Sequence, residues 1–244
     1  MDFRPSVFFE ALTSPAFIEG VKLTIALTVV AMIAGLVLGL VLALMRGSSF
    51  AVVRGAAWAY IWIFRAIPTL VQLLFIWDAL PQFIPAFKGD WFSAFFAASI
   101  ALSMNEAAYA AEIFRGGLLS IDDGQRLAAR ALGMSPSKVF TKVILPQLVR
   151  VTIPPLSNDF ITMLKITSLA SVISLQELLA QTQTQIATTF RFVEYYSAAA
   201  IYYLVVVSIF MVIQAQIERR FVWSSQAPGG RSSLSRVRQL AALR

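Results

Sequence analysis

Four ionisable side chains lie inside otherwise apolar stretches: Arg65, Glu106, Asp159 and Lys165, with Asn158 as a neutral neighbour. Exposing such a group to hydrocarbon costs several kcal/mol, so it is a functional hypothesis wherever its segment is embedded in a membrane. A carboxylate can bind a cation, and an arginine can hold a carboxylate through two parallel hydrogen bonds. The alternative is structural, because these charges can also pair with one another or hold helices in register at the membrane edge.

The composition excludes several other kinds of site. The sequence has no Cys and no His, which rules out disulfides, Cys/His zinc or iron–sulfur centres, histidine acid–base catalysis and a cysteine nucleophile. Nothing else in the sequence resembles a nucleophile–base pair, which argues against a membrane-embedded hydrolase. We therefore predict no catalytic residues, no metal site and no cofactor.

The elements that position these residues are predicted to be membrane-spanning helices. Apolar residues make up 58% of the 244 residues and charged residues 14%, against about 25% charged in soluble chains. The mean hydropathy is +0.74. A bilayer core about 30 Å thick needs about 20 apolar helical residues. The stretches that meet this criterion predict an all-α polytopic protein with about five transmembrane helices, at 21–45, 57–80, 91–111, 148–169 and 198–217.

The distribution of Lys and Arg predicts the orientation of these spans. With five spans, 14 of the 20 Lys and Arg residues fall on one side, in the segments after the first and third spans and in the tail. Positive charge concentrates in cytoplasmic loops, so we expect the N-terminus outside and the C-terminus in the cytoplasm. The basic segments lack interleaved aromatic residues, so nucleic acid is not an expected partner. The bilayer is.

Proline and glycine add detail to the spans. The second span contains Pro68 and the fourth contains Pro154 and Pro155, so we expect both to be kinked or to face a protein-lined cavity. In the first span, Gly35 and Gly39 permit close helix contact, which we interpret as packing within the chain. The polar run 181–185 (QTQTQ) predicts a solvated outer loop.

The loop between the third and fourth spans predicts two short amphipathic helices. Ser120 is the expected N-cap of the first, Gly133 ends it in a left-handed conformation, and Ser135 with Pro136 begins the second, which Pro146 closes. One interpretation is a pair of interfacial helices whose basic residues face lipid headgroups. The other is a compact docking element that enters a groove on a cytoplasmic partner.

Several ordered motifs across residues 20–215 resemble the permeases of binding-protein-dependent ABC importers, in their polar amino-acid branch. The loop motif resembles the family's "EAA" coupling loop. The segments that carry the resemblance are 64–73 (FRAIPTLVQL), 107–117 (AAYAAEIFRGG), 124–135 (GQRLAARALGMS), 144–147 (ILPQ), 156–161 (LSNDFI) and 165–169 (KITSL).

This resemblance implies an ABC type-1 importer permease architecture in the bacterial inner membrane. The implied layout is an extracytoplasmic segment (1–19), a transmembrane domain (20–216) that includes the coupling loop (118–147), and a basic cytoplasmic tail (217–244). The implied partners are a cytoplasmic ATPase dimer, a second permease chain, an extracytoplasmic substrate-binding protein and a polar amino acid. The implied ATPase contacts are Gly124, Gln125, Ala128, Ala129, Gly133, Leu145 and Pro146.

For the five intraspan residues the resemblance implies a substrate pathway. Glu106 or Asp159 would bind the ammonium group of an amino acid, and Arg65 or Lys165 its carboxylate, with Asn158 as a neutral partner. No G-x-x-x-x-G-K-[ST] phosphate loop occurs in the sequence, so we expect ATP to be hydrolysed by another chain. The alternative function is an ion-coupled carrier or a channel subunit, which would leave the coupling loop without a purpose.

The sequence departs from the family pattern at two positions. Leu127 stands where the family usually has a Glu before the Ala pair, which removes a charge that would face the ATPase. Ile166 stands where a polar residue usually follows the Lys of the K-x-T-S-L motif. The flanking Gly, Ala and Pro residues, which set the backbone shape, are present.

Overall fold

The computed structural model describes residues 3–221, and every regular element within them is helical. The α-helices are α1 (Pro5–Leu12), α2 (Pro15–Arg46), α3 (Ala51–Ala66), α4 (Thr69–Leu74), α5 (Leu80–Phe83), α6 (Ala94–Leu119), α7 (Asp123–Ala131), α8 (Pro136–Val139), α9 (Leu145–Ile166), α10 (Leu178–Thr189) and α11 (Phe192–Phe221). Two π-helical segments, Phe75–Ala79 and Phe140–Ile144, and two 3₁₀ segments, Pro85–Lys88 and Thr167–Ile173, connect some of them.

Helix α6 forms the centre of the molecule and packs against α2, α3 and α9. Its inward faces are built largely from alanines, which lets the neighbouring backbones approach closely. On α2, a Cβ at Gly39 would lie 2.8 Å from the Ala110 Cβ and 3.0 Å from the Ala107 carbonyl oxygen. These glycines therefore support packing within the chain, as the sequence predicts.

Among the described residues, three helices are long and apolar enough to cross a membrane: α2, the helical run Pro136–Ile173, and Phe192–Arg220 within α11. The pair formed by α3 and Thr69–Phe83 would count as a fourth span if taken together. Helix α6 covers the predicted third span but does not reach the same hydropathy, since polar residues interrupt its Ala-rich sequence. The prediction of five spans therefore stays a prediction, as does the orientation of the termini.

The predicted second span is sharply bent, as its proline suggests. Helix α3 ends at Ala66, and Ile67 is extended. The helical segment Thr69–Phe83 that follows lies at 107° to α3. Pro68 has no N–H to donate to the carbonyl of Phe64. The Gln72 side-chain amide donates to that carbonyl at 2.8 Å and to the Ile67 carbonyl at 2.7 Å, which satisfies backbone groups that the bend leaves free.

Two predicted features of the coupling loop are wrong. Ser120 is not the N-cap of α7. Asp122 takes that role, its carboxylate accepting from the Gly124 N–H at 2.6 Å, while the Ser120 hydroxyl donates to the Gly117 carbonyl at the end of α6. Pro146 does not close the second loop helix either. The π-helical segment Phe140–Ile144 leads into Pro146 in the first turn of α9, where a missing N–H is tolerated.

The polar run 181–185 is helical rather than a loop. It belongs to α10, whose N-cap Glu177 is fully buried and accepts hydrogen bonds from the Leu179 and Ala180 N–H groups. The Tyr203 hydroxyl on α11 donates to the same carboxylate at 3.2 Å. A buried acid that caps α10 and contacts α11 therefore fixes this helix on the body of the protein. The predicted tail 217–244 lies outside the described residues from 222 onward.

Replacing Gly39 by Ala tests the close α2–α6 contact. The added methyl meets rigid backbone and a short side chain, so we expect a loss of about 1–3 kcal/mol in the free energy of unfolding. A lowered thermal midpoint of the purified chain in detergent would show it. Gly116→Ala is the matched control, because a Cβ there meets nothing within 4 Å. Equal midpoints for the two variants would contradict the packing account.

Candidate functional site

A cavity of about 200 Å³ lies where α4, α6 and α9 meet. We call it the acid cavity. It opens beside the bend at Pro68, so the break in the second span creates room between the helices. Its lining residues are Thr69, Asn105, Glu106, Tyr109, Asp159, Thr162, Met163 and Ile166.

Two carboxylates face the acid cavity. Glu106 is 5% exposed, and its Oε1 is buried without a hydrogen-bond partner in the described part of the chain. The Oδ2 of Asp159 is likewise buried and has no hydrogen-bond partner among the described residues. A buried polar atom without a partner is costly, and none of the lining residues is a Lys or Arg. Each acid therefore has one oxygen that receives no hydrogen bond from the described part of the chain.

Glu106 has space at this position because α2 presents a glycine to it. A Cβ at Gly35 would lie 2.6 Å from the Cγ of Glu106, closer than real Cβ atoms approach. Asn105, the neighbour of Glu106, has a different role. Its amide donates to the Gln72 side chain and to the Phe64 carbonyl, both at 3.2 Å, so it supports the bend at Pro68.

Of the five predicted pathway residues, only Glu106 and Asp159 line the acid cavity. Arg65 is exposed beside it, with its guanidinium carbon 5.4 Å from the ring centroid of Tyr109, which is itself a lining residue. Asn158 and Lys165 are exposed and do not line it. On a helix, residues adjacent in sequence point about 100° apart, and Asn158 therefore faces away from its neighbour Asp159.

Two features of the structure were not predicted as such from the sequence. Tyr109 lines the acid cavity with the two acids and also contacts Arg65, and only its place within a family-like motif marked it out. Glu177, at the start of α10, is fully buried although it lies outside the predicted apolar spans. A helix signal after an acidic N-cap could have identified it.

The coupling loop folds around a small core of its own. Ala129 of α7 is 6% exposed and packs with Ile121, Val139, Ile144 and Leu148. The side chains of Gln125 and Gln147 join the two arms of the loop through a 2.6 Å hydrogen bond. This core gives the loop a defined shape before any partner binds.

The other predicted ATPase contacts lie on the surface of the loop. Gly133 has a φ of +77°, the left-handed conformation that the sequence predicts at the end of α7. Two large apolar side chains are also exposed, Leu127 at 66% and Leu132 at 83%. Ala129 is thus a packing residue of the loop, whereas the exposed members of the predicted set are Gly124, Gln125, Ala128, Gly133, Leu145 and Pro146.

Residues 13–223 match the family described as the binding-protein-dependent transport system inner membrane component. The chain belongs to this family. The permease is 39% identical over 220 residues to the glutamine transport system permease protein GlnP of Escherichia coli, covering 90% of this chain and 98% of GlnP. It is 41% identical over 230 residues to the arginine transport system permease protein ArgU of Corynebacterium glutamicum, covering 90% of this chain and 71% of ArgU.

Solved structures confirm the expected permease fold. A crystal structure of an amino acid ABC transporter with histidines matches with a TM-score of 0.79 and 38% identity, covering 90% of this permease and 99% of that chain. An inward-facing methionine ABC transporter, MetNI, matches with a TM-score of 0.68 at 20% identity and shows the fold alone. The family resemblance, the all-α architecture and the membrane location predicted from the sequence are therefore confirmed.

Replacing Ala129 by Leu tests the core of the coupling loop. The larger side chain cannot fit beside Ile121 and Val139, so we expect about 1–3 kcal/mol of local destabilisation. Faster cleavage within residues 118–147 in limited proteolysis would reveal it. Ala128→Leu on the exposed face should leave the cleavage rate of the folded loop near that of the parent chain. Equal protection of both variants would show that Ala129 has no packing role.

Proposed function

We propose that this permease subunit forms the translocation pathway of an ATP-driven importer for polar amino acids. The observation that carries the proposal is the pair of acids, Glu106 and Asp159, that line one cavity and each have an oxygen without a hydrogen-bond partner among the described residues. The names of the relatives support the substrate class, since GlnP and ArgU are described as transporting glutamine and arginine.

The ammonium group common to amino acids fits the acid cavity. It carries three donors and one positive charge, which suits a cavity lined by Glu106 and Asp159. Arg65, next to the ring of Tyr109, would bind the substrate carboxylate. Lys165 and Asn158, exposed on the other faces of α9, would contact substrate only outside the acid cavity, elsewhere along the pathway.

The coupling loop would transmit the energy of ATP hydrolysis. Its own core holds it rigid while Leu127 and Leu132 stay exposed, which suits a docking element better than an isolated surface helix. The sequence lacks a phosphate-binding loop, so a cytoplasmic ATPase dimer would supply hydrolysis. The remaining proposed partners are a second permease chain, identical or homologous, and an extracytoplasmic substrate-binding protein.

The proposed topology places the N-terminus outside and the coupling loop in the cytoplasm. The excess of Lys and Arg on the side of the loop supports it. We retain the proposed layout of an extracytoplasmic segment (1–19), a transmembrane domain (20–216) and a basic cytoplasmic tail (217–244).

Glu106→Gln tests the pathway. The amide keeps the shape but removes the charge that pairs with ammonium, so we expect roughly a ten-fold or greater loss in apparent affinity for the transported amino acid, with assembly intact. Uptake of a labelled amino-acid panel into vesicles holding the assembled importer, with ATP inside, measures it. Glu19→Gln is the matched control, because Glu19 is exposed, lies away from the acid cavity and pairs with the exposed Lys22.

Unchanged uptake kinetics in Glu106→Gln would remove the acid cavity from the pathway. Uptake driven by an ion gradient, with no ATP and no other subunit present, would instead favour the carrier alternative. The two outcomes are separable, because the first concerns the substrate contact and the second concerns the energy source.

Leu132→Asp tests the docking surface. A charge at this exposed apolar position should weaken binding of the ATPase and lower its co-purification with the permease several-fold. Leu127→Glu is the comparison, since the family usually carries Glu there, and we expect it to retain the ATPase. Equal recovery of the ATPase with both variants and with the parent chain would exclude this face as the docking site.

A further inference from the structure

A second cavity, of about 530 Å³, lies at the end of the molecule that carries the coupling loop. Four arginines from four separate segments line it: Arg46 at the end of α2, Arg54 in α3, Arg115 near the end of α6, and Arg126 in α7. None of the lining residues is acidic. We call it the arginine cavity, and the proposed pathway uses none of these four residues.

The charge in the arginine cavity is only partly compensated. Arg115 pairs with Glu112 at 2.7 Å, and Arg126 lies 3.4 Å from Asp123. Arg54 donates to the Ser48 carbonyl at 3.0 Å, a neutral partner. Two carboxylates outside the cavity, those of Glu112 and Asp123, therefore compensate four guanidinium groups within it only in part.

Two of these arginines also have buried donors without an acceptor. The Nε of Arg46 and the Nε of Arg126 are shielded from solvent and bond to nothing among residues 3–221. Charged donors left unpaired away from water are strongly unfavourable. An anion bound between the end of α2 and the loop helix α7 would bring negative charge to both side chains.

The rest of the lining is apolar. Leu118, Leu119, Phe140 and Ile144 lie on the same cavity as the arginines. Inorganic phosphate has no apolar part that could contact these side chains. A phospholipid would place its phosphate on the guanidinium groups and its acyl chains on the apolar side chains. The cavity also lies where α2 and α6 end, the depth at which lipid headgroups meet the helices of a membrane protein.

We infer that the arginine cavity binds the phosphate of an anionic phospholipid, and that the lipid links the coupling loop to the transmembrane helices. Arg46 and Arg54 would bind it from the membrane body and Arg126 from the loop. A bound headgroup would thereby connect α7 to the end of α2. The inference depends on the membrane location and not on the substrate of the acid cavity.

The test measures lipid retained by the full chain in its assembled importer. The complex is purified from vesicles of phosphatidylethanolamine with phosphatidylglycerol, and from vesicles of phosphatidylcholine alone, and bound lipid is counted by native mass spectrometry. We expect phosphatidylglycerol to be retained and phosphatidylcholine not. Arg46→Gln and Arg54→Gln should each lower retention about five-fold, the effect expected for one cationic side chain near an anionic surface.

Two matched variants separate a lost site from a lost fold. Arg46→Lys keeps the charge and should keep most of the retained lipid. Arg130→Gln removes the same charge from α7, but Arg130 is exposed and does not line the cavity, so its retention should equal that of the parent chain. A loss with Arg130→Gln equal to that with Arg46→Gln would reduce the effect to net charge and overturn the proposal.

Further outcomes identify other occupants. Displacement of the lipid by millimolar inorganic phosphate or by glycerophosphoglycerol would show a soluble-anion site. Retention in the isolated permease but not in the complex with its ATPase would show that acidic side chains of the partner fill the cavity. Each of these overturns the lipid assignment while leaving the amino-acid pathway untouched.

Discussion

The close approach of α2 to α6 determines where the charged groups of this permease lie. Gly35 and Gly39 have no side chain at the contact, and the facing side of α6 consists largely of alanines. A carboxylate is thereby buried between two helices, since Glu106 occupies the space that any larger residue at position 35 would fill. The contact thus supplies packing and a site at the same time. Lipid tails offer no solvent-driven force between helices, and such contacts are the main source of cohesion in membrane proteins.

The bend at Pro68 complements this contact. It changes the direction of the chain by 107° beside the acid cavity, while the amides of Gln72 and Asn105 donate to the Phe64 carbonyl, which the missing N–H of Pro68 leaves free. Irregular backbone is tolerated within a membrane only where protein or a cavity surrounds it. The bend and the cavity therefore depend on each other.

Local signals in the sequence predicted local structure well. The left-handed Gly133 and the start at Ser135 with Pro136 depend on neighbouring residues only, and both occur. The prediction for Pro146 was wrong because the π-helical segment Phe140–Ile144, which has no sequence signature here, places this proline in the first turn of α9, where its missing N–H is tolerated. The run 181–185 was predicted to be a loop because it is polar. The sequence does not show that Glu177, which caps α10, is buried and holds this helix in place.

The candidate site could be predicted only in part from the sequence. The cost of a charge in an apolar stretch identified Glu106 and Asp159, but it identified Lys165 equally, and composition does not show which face of a helix points inward. The four arginines of the second cavity come from segments up to 80 residues apart in the sequence. Their meeting depends on the tertiary fold, which no local pattern encodes.

The helical run from Pro136 to Ile173 contains one arm of the coupling loop at its beginning and Asp159 far along its length. No stretch of coil separates them, over a path of about 35 Å at the rise of an α-helix. Because this run is continuous, displacing the loop arm would also displace Asp159, which forms one wall of the acid cavity. Glu106, on the opposite wall, belongs to the separate helix α6, so the spacing of the two acids would change with the position of the loop.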